Sequence, residues 1–117
     1  MVMRRLLLLA LFSVAAFAAD VTGTWQFNVE TDAGSGTPTF VLRQTGEELT
    51  GTYSGALGEA KVKGSVKGDK VEITFQVSPS GDAVTVVYSG TLDGEKKMKG
   101  TVKLGDLGNG TFTAQKN

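Results

Sequence analysis

From residue 20 onward, apolar and polar side chains alternate along the chain, and Gly-rich breaks cut the alternation at short intervals. A period of two marks strands with one buried face, and no helical period interrupts it. The pattern predicts eight strands, at about 22–30, 38–44, 47–54, 60–66, 71–77, 83–92, 97–103 and 110–115. Their spacing can be tested at the turns, because a slip of one residue would send an apolar face outward. A two-residue turn at Gly68-Asp69 sets Val66 against Val71, Gly64 against Ile73 and Val62 against Phe75, with Lys and Glu on the other side. A turn at Thr45-Gly46 sets Leu42 against Leu49 and Arg43 against Glu48. A turn over Pro79-Ser80-Gly81-Asp82 pairs Val77 with Val84, Phe75 with Val86 and Ile73 with Tyr88. Around Asp93-Gly94 only a loop of three or five residues keeps the phase, since a shorter one puts Gly90 opposite outward Lys97.

A short repeat, apolar-x-Gly-Thr/Ser-apolar, occurs around Gly51, Gly64, Gly90 and Gly100, and shortened versions open the first and last strands at Gly23 and Gly110. Each of these glycines falls on the apolar face. Glycine weakens a strand unless a bend or a close backbone approach needs it, so glycines sharing one face predict a sheet curled on itself with rings covering the bare backbone. The expected fold is all-β: a single up-and-down antiparallel β-barrel of about eight strands, with a two-sheet β-sandwich as the alternative. The predicted interior is Trp25, Phe27, Val29, Phe40, Leu42, Leu49, Tyr53, Val62, Ile73, Phe75, Val86, Tyr88, Met98, Val102 and Phe112; the threonines and most lysines point outward. An outer-membrane barrel needs the reverse arrangement.

Residues 1–18 read differently. Arg4 and Arg5 precede an apolar run from Leu6 to Ala16, and Ala16-Phe17-Ala18 supplies small residues for a cut after Ala18. Extended through Phe17 to Ala19, the apolar stretch is about 12–14 residues, short of the ~20 of a spanning helix. This is the pattern of a signal peptide, which makes 19–117 the β-barrel domain and the protein exported, to a periplasm or beyond. The chain has no cysteine, so disulfides and a lipid-attachment thiol are absent; a small exported domain without disulfides fits a bacterial envelope. The 12 basic and 12 acidic residues balance, and loss of Arg4 and Arg5 leaves a slightly acidic domain with no field for nucleic acid.

Gly23-Thr24-Trp25 resembles the Gly-x-Trp signature of the calycin barrels, the lipocalins and avidins, and Leu49-Thr50-Gly51-Thr52-Tyr53 is similar to a strand of avidin-type proteins. The resemblance covers about a fifth of the domain and implies a barrel. It does not extend to the avidin biotin site: Trp25 is the only tryptophan, and the serine after the matched tyrosine falls on Gly55. For the arginine that lipocalins set near the chain end against the first-strand tryptophan, the only candidate is Lys116.

The chemistry available is narrow. With neither histidine nor cysteine, Ser-His-Asp, Cys-His and ordinary zinc arrangements are excluded. The carboxylates fall in turns or outward, so no inward pair is poised for acid–base work; no enzyme activity, cofactor or metal is expected. Gly34-Ser35-Gly36 reads as a flexible hairpin loop and Asn109-Gly110 as a turn. Two non-enzymatic expectations follow. One is a small apolar or aromatic ligand in an interior void lined by Trp25, Tyr53 and Tyr88. The other is an envelope interaction or structural module acting through its loops or outer wall, where Lys61, Lys63, Lys67, Lys96, Lys97, Lys99 and Lys103 could form a basic patch.

Overall fold

The computed structural model describes residues 20–78 and 81–117; the proposed signal peptide lies outside the described residues. The strands are β1 (Gly23–Thr31), β2 (Gly34–Gly36), β3 (Thr39–Thr45), β4 (Glu48–Gly55), β5 (Gly58–Lys67), β6 (Lys70–Val77), β7 (Val84–Leu92), β8 (Lys97–Leu104) and β9 (Asn109–Lys116). All neighbours pair antiparallel, and β9 closes on β1 through a ladder from Trp25↔Lys116 to Thr31↔Gly110. The result is a closed eight-stave barrel, as the alternation predicts. Eight staves and nine strands are reconciled by Pro38. Both β2 and β3 pair with β1 in one continuous register, Val29↔Gly36 and Gln26↔Thr39. They are a single stave interrupted where proline cannot donate to the ladder; Phe27 N–H still reaches the Pro38 carbonyl, at 3.0 Å.

The predicted interior is the observed one, with Val21, Val66, Val71, Val77, Leu104 and Ala114 added. Apart from the Trp25, Tyr53 and Tyr88 rings with their N–H and O–H groups, no polar or charged side chain is buried among the described residues. The repeated glycines act as expected of a tightly bent wall. A Cβ on Gly64 would run into the Glu72 carbonyl oxygen, and one on Gly100 into that of Ser89. At these points the neighbouring backbone occupies the space a side chain would take, and the sheet turns its corner there.

Three local expectations are corrected. Gly34-Ser35-Gly36 is strand β2, and the hairpin turn is the preceding Asp32-Ala33. The β3–β4 turn is Gly46-Glu47, with Gly46 at φ +64°, so Leu42 opposes Gly51 and Arg43 opposes Thr50; the Leu42–Leu49 and Arg43–Glu48 pairs do not form. The shift is two residues, which preserves every inward face and is therefore invisible to the alternation. Asn109 and Gly110 open β9, and the turn before them is built on Gly105 and Gly108, both at positive φ. The other registers stand: Gly64↔Ile73 and Val66↔Val71, Phe75↔Val86 and Ile73↔Tyr88, and a five-residue connection from Leu92 to its partner Met98.

Candidate functional site

The strand directions give the barrel two unlike rims. At the first, β1 begins and β9 ends, and Val21 is driven into the opening, 1 % exposed. Its N–H donates to Gln44 Oε1 at 2.9 Å, and its carbonyl accepts from Trp25 Nε1 at 2.8 Å. Gln44 is fixed in turn: its Nε2 donates to the Gly46 carbonyl and its backbone N–H to Thr22 Oγ1. Lys116 lies across Gly23 and donates from Nζ to the Asp20 carbonyl at 3.3 Å. This rim is closed.

Above it, rings fill the barrel. Phe27 stacks on Phe112 at 5.0 Å and tilts against Phe40 at 4.3 Å; Tyr53 stacks on Phe75 at 4.5 Å; Tyr88 meets Phe27, Phe40 and Phe112 edge-on at 5.1–5.5 Å. Offset and edge-to-face pairs of this kind add about 0.5–1.5 kcal/mol each beyond their buried area. The middle of the barrel is thus occupied by rings in mutual contact, as side chains commonly fill small eight-stranded barrels.

Among the described residues, the second rim is open. A recess of about 120 Å³ enters here between β1, β2, the β4–β5 turn and the ends of β7 and β8, and Tyr53, Tyr88, Val29, Leu57, Leu104 and Gly36 form much of its lining. The phenols of Tyr53 and Tyr88 are its side-chain chemistry at the floor. Tyr53 Oη accepts the Leu57 N–H at 3.4 Å. Every fully enclosed side-chain nitrogen or oxygen among the described residues has a partner, while the Tyr88 hydroxyl has none there, so it opens into the recess it lines. Burial, and then the neighbouring Tyr53, push the Tyr88 phenol well above its ordinary range; burial also raises Tyr53, opposed by the Leu57 N–H. Both hydroxyls therefore stay protonated at neutral pH and can donate as well as accept. The side chains lining the recess carry no formal charge.

Of the three residues expected to line a void, Tyr53 and Tyr88 come together and Trp25 does not. Trp25 is 0 % exposed at the closed rim, its indole N–H spent on Val21. What the sequence reading missed is the contribution of Gly34-Ser35-Gly36, whose glycines look like linker until Pro38 is seen to split one stave. The lysines also part company. Lys61, Lys63 and Lys67 ride on β5 and Lys97, Lys99 and Lys103 on β8, with β6 and β7 between them and Glu72 on the intervening wall. Among the described residues no cluster of acidic side chains could hold a metal ion.

Solved structures share this architecture, among them two redesigned β-barrels. A redesigned β-barrel, mFAP1, bound to DFHBI superposes with a TM-score of 0.63 at 14% identity, over 83% of this chain and 94% of its own. A second redesigned barrel, mFAP0, also bound to DFHBI, gives 0.62 at 18% identity, over 82% and 98%. At such identities the likeness is one of fold. No family model and no curated protein matches the chain. The closed eight-stave barrel, with Gly23-Thr24-Trp25 opening β1, is the fold those motifs implied, while Lys116 lies against Gly23.

Proposed function

We propose that this protein is an exported, non-enzymatic carrier or receptor barrel that takes one small, uncharged apolar or aromatic group into its open rim. The observation that carries the reading is the recess itself: apolar walls converging on two protonated phenols, at an end of the barrel that no described residue plugs. Binding sites have this make-up, a mostly apolar concavity with a few placed polar groups. The volume sets the scale. A cavity of about 150 Å³ accommodates benzene, so about 120 Å³ suits one ring or a short chain end, the rest of the ligand projecting outward. The two barrels of similar fold, both bound to DFHBI, lend support. Export and release at Ala18 are part of the proposal and are checked by the intact mass of protein recovered from a bacterial periplasm.

Gly36 offers the direct test. Its φ is ordinary, and a Cβ there would meet nothing within 4 Å. Gly36→Leu therefore fills the recess without straining the backbone. In a thermal-shift panel of small aromatic and aliphatic compounds, a ligand held at 100 times its Kd stabilises the parent by about 2.7 kcal/mol and leaves Gly36→Leu unmoved. A panel that shifts neither protein refutes the reading.

A further inference from the structure

The open rim also exposes a piece of unpaired strand. The bond from Phe27 N–H to the Pro38 carbonyl makes 27↔38 a hydrogen-bonded pair of the β1 ladder. Antiparallel pairs alternate, so Val29↔Gly36 and Thr31↔Gly34 are hydrogen-bonded in the same sense and Glu30↔Ser35 is not. The N–H and C=O of Ser35 consequently point away from β1, toward where the next stave would stand. That stave has ended. The β3–β4 register, which closes at Thr39↔Ser54, brings Gly55 beside Pro38, and a Cβ on Gly55 would touch the Pro38 ring. The chain then turns back through Ala56-Leu57 into β5. Among the described residues strand β2 pairs with β1 alone, and its free edge borders the recess through Gly34, Ser35 and Gly36.

From this juxtaposition we infer that the ligand is a short, uncharged, extended peptide segment that bridges Ser35 through its backbone and puts one apolar side chain into the recess. Strand addition at a free edge takes affinity from main-chain hydrogen bonds and specificity from a hole for alternate side chains. The alternation here dictates the order of the guest. A residue directly opposite Ser35 shares the outward side of Ser35 and Glu30, whereas its neighbour shares the inward side of Gly36 and Val29. The guest therefore needs a small or polar residue against Ser35 and an aromatic or aliphatic one next to it, whose side chain ends at Tyr53 and Tyr88. Where a side chain on β2 would fill this space, residues 34 and 36 are glycine, and a Cβ on either would meet nothing within 4 Å. The side chains of the recess, all uncharged, disfavour a charged terminus there.

The inference rests on the recess reading and is separable from it. Calorimetry compares N-acetyl-Phe-Gly-amide, its ester analogue in which oxygen replaces the Gly N–H, and propylbenzene, which has the ring and no amide. The expected order is peptide over both others, with the ester weaker roughly five- to tenfold for the lost hydrogen bond. Ser35→Pro removes the N–H aimed at the guest while sparing the β1 ladder, a substitution edge strands tolerate. It is expected to lower peptide affinity by a similar factor and to lower propylbenzene affinity by clearly less. Equal affinity for peptide and ester, or for peptide and propylbenzene, overturns the peptide inference and leaves the recess intact. Failure of all three probes, with no shift across the wider compound panel, overturns both.

Discussion

At the closed rim, Val21 has its N–H and its carbonyl both taken, by Gln44 and Trp25; at the open rim, Ser35 points both of its backbone groups at a place where no strand stands, and the Tyr88 phenol meets no partner among the described residues. The two rims belong to the same staves and differ in how completely polar groups are satisfied. A satisfied buried group contributes to holding the fold, while an unsatisfied one at an opening is capacity for something else to bind. On the proposed reading, stability and recognition are placed at opposite ends, with the packed rings between them.

Substitutions can break or sharpen that contrast. The largest effect is expected from Trp25→Ala, which removes the biggest closed-rim side chain and its bond to Val21; a loss of about 3–5 kcal/mol should register in urea unfolding. Gly64→Ala, which sets a methyl against the Glu72 carbonyl, should cost about 1–3 kcal/mol, since wall and core must shift to admit it. Gln44→Ala, which orphans the Val21 N–H, should cost about 1–2 kcal/mol by the same measurement. At the other rim Gly36→Leu should change unfolding free energy by less than about 0.5 kcal/mol while abolishing ligand shifts. A mouth substitution as damaging as the rim ones would erase the proposed division.

The smallest effect is one of pH. The phenols of Tyr53 and Tyr88 ionise later in the folded protein than their ordinary value of 10.0. The folded state holds them neutral, so their support is complete below about pH 10 and is lost as pH rises above it toward their folded values. Melting temperature should fall on the alkaline side, and Tyr88→Phe should flatten that fall. With no histidine in the chain, the neutral range should be level.

Much of the barrel could be read from the sequence because its information is binary. Inward residues from Trp25 to Phe112 alternate without fault, and an odd slip in any hairpin would have broken the pattern; hence an odd connection after Leu92, of three or five residues, was legible, and the structure has five. An even slip leaves the pattern unchanged, which is why the β3–β4 turn moved to Gly46-Glu47 unnoticed. Tyr53 and Tyr88 could be named as inward but not placed at one end together, nor Trp25 at the other. Height along a barrel depends on the stagger between strands, and alternation records only the side a residue faces. Strand β2 stayed hidden for a different reason: Gly34-Ser35-Gly36 has the composition of a linker, and its strand character comes entirely from pairing with Val29, Glu30 and Thr31.

One further property follows from how the first stave meets the last. The Asn117 N–H donates to the Thr24 carbonyl at 2.9 Å and Lys116 Nζ to the Asp20 carbonyl at 3.3 Å, so residues 20 and 117 lie side by side, on the side opposite the recess. A permuted gene joining them through a few glycines, or a reporter or surface tether grafted at either point, should leave the mouth unobstructed. Such a chimera would present the recess outward, ready for use as a display scaffold.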